Sequence, residues 1–412
     1  MSTTTSIQHV VVLMMENHSF DHMLGWLPGI GELDGSQINK DTSGNSYFVT
    51  TGANYSTKPC PQHQLENINL QVFGTYQPSS GDTPTMSGFV LDYMAGQDQA
   101  DGDPYVLMGC YSPDQLPVLS ALAQTFTTCT RWFCSVPGPT GPNRIYANCA
   151  SSAGYAGPDY ETGTFPSEMA SLSSIFGVLA QASFTWGVYH EDSDFAPELL
   201  LDDVKAKPDW QYCDPGFTIF HSHLQAGTLP NYCFLTPDLW QNSQHSSADV
   251  RYGECVIANI YEAIANSDYW NNTLFIVTYD EHGGLYDSVT TPTGVPNPDG
   301  KNWDNSCPAD YCYKDPPFSF DRLGPRVPAI VISPYVQAAT DPTQYEHSSL
   351  TASVLQLFGL TWPVTNQRIQ TVNTFENLIG STARTGLPLF LRRPAPSNNF
   401  TPLPPLVPPP TS

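Results

Sequence analysis

Positive charge is scarce in this sequence. Lys and Arg number 15 against 39 Asp and Glu, which leaves a formal charge of −24 over 412 residues. Polyanions and anionic bilayers repel such a chain, so nucleic acid is excluded as a partner. The longest basic run is Arg392-Arg393, too short for a polybasic membrane anchor. Charged residues of either sign are also few, at 13 %, about half the share usual in a soluble domain. Beside a hydrophobic content of 40 %, that is the reverse of a disordered composition. No apolar run reaches about 18 residues, so no transmembrane segment is expected. The apolar stretch Ile7–Met15 lacks a basic flank and a small-residue cleavage site, and reads as a strand rather than a secretion signal.

Other absences narrow the chemistry. There is no G-x-S-x-G elbow, no H-E-x-x-H pair and no phosphate-binding G-x-x-x-x-G-K-S/T loop, which removes the usual serine-hydrolase, zincin and P-loop readings. No CxxC pair exists to suggest a structural zinc. Ten cysteines are too sparse for a disulfide-dependent small fold, but their even number is suggestive. Cys129 with Cys134, or Cys307 with Cys312, are spaced to close small loops. Acidity and paired cysteines point to an extracytoplasmic protein and the missing signal points inward, so the compartment stays open.

What is present is a loop-rich globular chain, with 30 Gly and 38 Pro. Its length suits two or three average domains, or one large α/β domain with insertions. Five apolar runs read as buried strands: Ile7–Met15, Phe184–Tyr189, Asn231–Leu235, Leu274–Tyr279 and Val327–Ile332. Between them, Leu172, Ile175, Phe176 and Leu179 carry helical spacing, as do Ile257, Ile260, Tyr261 and Ile264. Alternating strands and helices predict an α/β fold with a mostly parallel sheet sandwiched by helices. One domain is expected over 1–393, with insertions of little regular structure near 31–114 and 290–320. The Pro-rich tail 394–412 is expected to be an extended surface strap or loose end with no catalytic role.

In such sheets, groups meant for ligands gather past the carboxyl ends of the strands. The first strand runs into Glu16-Asn17-His18 and the fourth into Asp280-Glu281-His282-Gly283-Gly284. An acidic loop after one strand is commonly a solvated turn. Two at equivalent strand ends supply three carboxylates and an amide, a hard-oxygen set for a divalent cation. The paired glycines would let the backbone turn close beside a ligand. The rigid stretch from Val136 to Arg144 surrounds one hydroxyl, Thr140, with prolines and glycines. It places Thr140 just before a helix running from Asn143 onward, where free amides, with Asn143 and Arg144, would bind a phosphate. Taken alone, that stretch reads more readily as a turn with a helix-capping Thr.

Four segments, VVVLMMENHSFDHMLG, CSVPGPTGPNRIY, TLFIVTYDEHGGLYD and GPRVPAIVISPYV, stand in this order. They closely resemble the phosphoesterase family of bacterial and plant phospholipases C and a bacterial acid phosphatase. The resemblance extends to about Gly359. It implies an alkaline-phosphatase-like fold and one divalent metal ion (Ca, Zn, Mg or Mn) held by Glu16, Asn17, Asp280 and Glu281. Thr140 would be both nucleophile and metal ligand, passing through a phosphothreonine intermediate. His63, in PQHQLENINLQ, matches a His-containing segment of the family. His245 falls where the family carries Glu-His-Pro-Pro, here altered to Gln244-His245-Ser246-Ser247. His190 ends the second strand, and His282 and His347 sit inside matching segments. His63, His190 and His245 are the candidate general acids. His282 would contact substrate, or orient a carboxylate as His347 would. The substrate implied is a phospholipid, met in transient lipid contact and split into diacylglycerol and a phosphorylated head group. A small phosphoester cleaved by a soluble acid phosphatase or phosphodiesterase is the alternative, and a non-catalytic binding protein is the rival from another class. The intact Glu16, Asn17, Thr140, Asp280 and Glu281 speak against the last.

Overall fold

A computed structural model describes residues 6–79, 81–96, 102–157, 166–192, 196–304 and 317–408. Its main sheet has eight strands. In chain order they are β1 (His9–Met15), β2 (Thr127–Cys129), β3 (Trp186–His190), β4 (Gln211–Cys213), β5 (Tyr232–Thr236), β6 (Thr273–Tyr279), β7 (Ala329–Ile332) and β8 (Ala339–Asp341). Across the sheet the order is β8-β2-β7-β6-β1-β5-β3-β4. Only β7 runs against the others. The central pair explains itself: every residue of β1 and β6 is buried, as a strand covered on both faces requires. The edge strands β4 and β8 are three residues each and partly exposed, and with β2 they are too short to leave a periodic signature.

Seven helices matter here: α1 (Leu65–Phe73), α2 (Phe89–Ala95), α3 (Pro117–Thr125), α4 (Thr140–Cys149), α5 (Ile175–Gln181), α6 (Val250–Ala265) and α7 (Ser348–Phe358). Among them α4 packs against α7 and α3 against α6. The expected mostly parallel α/β sheet is what forms. Leu172 lies outside α5, because Ser174 caps that helix by accepting from Gly177 N.

Two expectations are corrected. The 31–114 segment is far from irregular. It holds α1, α2, a hairpin of Ile38–Lys40 with Ser46–Phe48, and a core of its own that includes Ile68, Val72, Phe89 and Leu107. Leu285 and Tyr286 join that core, so the segment packs directly onto the chain that follows β6. Cys129 and Cys134 form no disulfide. Cys129 ends β2, whereas Cys134 follows Trp132–Phe133 of a separate two-stranded sheet, and both thiols are buried and free. Cys307 and Cys312 lie outside the described residues. The described part of 290–320 shows isolated bridges such as Trp303 with Phe318. The tail lies along α6 as a strap, where Phe400 packs on Tyr252 and Asn259 Nδ2 donates to Pro404 O at 3.1 Å.

Candidate active site

β1 and β6 pair in parallel with Met15 opposite Tyr279, so Glu16 and Asp280 leave the sheet side by side. Asn17 turns immediately into the left-handed region (φ 53°), which Asn tolerates better than most residues. Its amide nitrogen donates to Asp280 Oδ1 at 2.9 Å, and Glu281 N donates to the same oxygen at 2.7 Å. Asp280 Oδ2 is buried and receives no hydrogen bond. Gly283 and Gly284 have positive φ, and the backbone passes close to its neighbours at both. A Cβ on Gly283 would sit 2.2 Å from Asn17 O, and one on Gly284 would sit 2.5 Å from Gln62 O.

Helix α4 begins at Thr140 itself, three residues earlier than expected. Thr140 Oγ donates to Glu16 Oε2 at 3.2 Å and to Asn17 Oδ1 at 3.4 Å. The hydroxyl is therefore aimed at the strand end. Asn143 and Arg144, expected to donate to a phosphate, use their donors inside the protein. Asn143 Nδ2 bonds the carbonyls of Val136, Gly138 and Pro139, and its Oδ1 accepts from Val136 N, which fixes the proline-rich turn. Arg144 is fully buried. Its Nε and Nη2 reach Glu16 Oε1 at 2.9 and 2.5 Å, Nη2 also reaches Met14 O, and Nη1 lies 3.6 Å from Glu198 Oε1. Glu198, with its place in the 3-10 turn Pro197–Leu200, had no sequence signal.

The histidines separate by depth. His63 is part-buried, with Nε2 3.4 Å from Asn17 Nδ2 and 3.7 Å from Glu281 Oε1, while Nδ1 bonds Pro61 O. His245 is also part-buried. Its loop is tied to β1 by Glu16 N donating to Ser243 O, and its ring meets the edge of Trp240, whose side chain is 60 % exposed. His282 is buried behind Glu281, with Nε2 2.7 Å from Gln71 Oε1. His347 Nε2 donates to Asp280 O at 2.6 Å while Nδ1 accepts from Trp132 Nε1, so His347 braces the strand end. His190 pairs with Thr236 in the sheet, two strands from β1 and about 10 Å across it. The structure thus brings Glu16, Asn17, Thr140 and Asp280 together, with His63 beside them and His245 above. His190 is set apart.

Burial pushes the Glu16 carboxyl well above its usual range, with Arg144 opposing and the Asp280 carboxylate adding to the effect. Burial also lowers His63, and it lowers His245 to about 4 with help from the charge of His63. Glu281 faces the histidines and accepts from Gly283 N at 2.7 Å. Among the described residues no three His, Cys, Asp or Glu side chains close into a metal cage. The hard-oxygen group instead comprises two carboxylates, the Asn17 amide oxygen and the Thr140 hydroxyl.

The Phosphoesterase family profile matches residues 7–361. This chain belongs to the phosphoesterase family. It is 35 % identical to non-specific phospholipase C3 of Arabidopsis thaliana, over 95 % of this chain and 77 % of that one. It is 28 % identical to phospholipase C A of Mycobacterium tuberculosis, over 87 % of this chain and 74 % of the relative. A solved structure from Vibrio parahaemolyticus, described as a protein in the alkaline phosphatase superfamily, overlaps 62 % of this chain and 65 % of its own. Its TM-score is 0.38 at 13 % identity, a likeness too distant to add to the argument. As a phosphoesterase the protein is a hydrolase acting on phosphoester bonds.

Proposed function

We propose that this phosphoesterase is a metal-dependent phospholipase C with Thr140 as nucleophile. One observation carries the reading: a hydroxyl at a helix start donates to Glu16 and Asn17, in a buried cluster of oxygens beside Asp280. The residues fit a divalent cation. Glu16 and Asp280 are adjacent buried carboxylates, the Arg144 guanidinium pairs with Glu16 and Glu198, and Asp280 Oδ2 has no hydrogen-bond donor. Glu16, Asn17, Thr140 and Asp280 would hold the ion, with Glu281 next to them. A bound cation would withdraw charge from phosphate oxygens and acidify the threonine hydroxyl.

Glu16 and Asn17, by accepting from Thr140, hold the nucleophile in place for in-line attack on phosphorus. The bond from phosphorus to the diacylglycerol oxygen breaks as the bond to Thr140 Oγ forms. The hydroxyl proton passes to Glu16 Oε2, which returns it to Thr140 Oγ when the phosphothreonine is hydrolysed. His63 or His245, as imidazolium, gives the departing oxygen its proton. Such general acid catalysis contributes about 10²–10⁴-fold. The neutral histidine then accepts a proton from water, which hydrolyses the phosphothreonine and releases the phosphorylated head group.

Turnover of a chromogenic phosphodiester and of phosphatidylcholine, each with and without chelator, tests the reading. Chelator should stop both. Thr140→Ala should abolish the chemical step with a melting temperature close to that of the parent, and Thr140→Ser should keep part of the rate. Glu16→Ala or Asp280→Ala should lose metal and turnover together. Phosphate trapped on a residue other than Thr140 would remove the nucleophile assignment. Rapid phosphomonoester turnover without lipid cleavage would make the protein an acid phosphatase.

A further inference from the structure

We propose that Gln71, backed by Asp92, is a positioning residue that sets the spacing between His63 and Glu281. The inference rests on the reading of those two groups as working residues and assigns them a common support. Gln71 lies on α1, in the segment that looked like a mere insertion, and its side chain is almost fully buried. Its Nε2 donates to Gln62 O at 2.8 Å and to Asp92 Oδ2 at 2.7 Å. Both partners are acceptors, so the orientation of the amide is forced and Oε1 must face His282. At 2.7 Å from His282 Nε2 that oxygen can only accept. His282 therefore carries its proton on Nε2, and the Nδ1 edge faces Glu281 Oε2 at 3.5 Å.

One amide thus joins two loops more than 200 residues apart in the chain. Gln62 immediately precedes His63, and His282 immediately follows Glu281. The close fit of Gly284 against Gln62 O locks the same two loops at a second point. Asp92 on α2 is in turn held by Asn67 Nδ2 at 2.8 Å, so the amide is fixed from behind. Side chains that orient catalytic and metal-binding groups in this way change rate more than substrate binding.

The test uses full-length, metal-supplemented protein and bis-p-nitrophenyl phosphate. Gln71→Leu should lower kcat at least tenfold while KM stays within about twofold. Gln71→Glu alone should also lower kcat, because its carboxylate meets that of Asp92. Adding Asp92→Asn, which supplies a donor opposite position 71 but leaves its carboxylate against Gln62 O, should recover the rate of Gln71→Glu only in part. Long-range nitrogen–proton spectra of histidine-labelled protein should show His282 as the Nε2–H tautomer in the parent and the double variant. In Gln71→Leu that tautomer should be lost or mixed. A folded Gln71→Leu with parental kcat, a double variant no better than Gln71→Glu, or an Nδ1–H His282 in the parent would each overturn the proposal. If the parent does not turn over the phosphodiester, the functional reading fails separately, and the tautomer still decides whether the relay exists.

Discussion

Arg144 shows how one residue can hold the proposed reaction centre together through the carboxylate it pairs with. It sits one helical turn after Thr140 and neutralises Glu16 in a site where neither side chain meets water. Removing it should leave a buried carboxyl with no counterion. Arg144→Met is expected to cost roughly 3–5 kcal/mol of stability at pH 7, measured by denaturant unfolding. Without Arg144 the folded-state pKa of Glu16 stands further above its unfolded value. The loss should therefore shrink once the pH falls below about 4, where both states are protonated. A pH-independent loss would place the damage in packing instead. His245 makes a second prediction. A general acid must be protonated, and burial holds His245 near 4 in the free protein. If it is the acid, kcat/KM should fall as pH rises, with a limb on the acid side of the ordinary His value. A bound phosphate raises the pKa, so the limb in kcat should lie at higher pH than that in kcat/KM. A rate flat from pH 4 to 8 would exclude it.

At the level of elements, α3 and α6 depend on one carboxyl. Glu254, inside α6, accepts from Val118 N at 2.6 Å and Leu119 N at 3.0 Å, two unpaired donors at the start of α3. Burial lifts its pKa to about 8. An acid raised in this way contributes stability that is complete below its unfolded pKa and is lost as pH rises through 8. Glu254→Gln keeps one acceptor and turns an amide N–H towards a backbone N–H, which should cost about 1–3 kcal/mol near pH 5. The deficit should narrow towards pH 8, as the parent loses its own advantage. Thermal melts at the two pH values decide it, and an equal deficit at both would contradict the lifted pKa.

The charge of the whole molecule bears on which lipid the proposed phospholipase would favour. A protein near −24 is repelled by anionic bilayers, and the repulsion is strongest at low salt. Initial rates at low ionic strength should therefore favour phosphatidylcholine over phosphatidylserine, and added salt should narrow the gap. Faster cleavage of the serine lipid at low salt would overturn the charge argument.

The central strands were legible because β1 and β6 are buried on both faces and read as unbroken apolar runs. The oxygen-rich ends of those strands were legible too, since the composition changes from apolar to oxygen-bearing within one residue at Glu16 and again at Asp280. Thr140 stood out through its proline-rich frame. What the sequence could not carry was the use each donor would find. Asn143 and Arg144 looked free for a phosphate, and only the packing of α4 against the end of β1 commits them to the protein itself. Gln71, Asp92 and Glu198 are ordinary polar residues in sequence and acquire partners only when distant segments meet. Local pattern fixes which residues share a strand, a face or a turn, because backbone geometry is periodic. Hydrogen bonds between loops more than 200 residues apart have no periodicity, so the tertiary structure alone decides which of its polar groups face a substrate and which hold the others still.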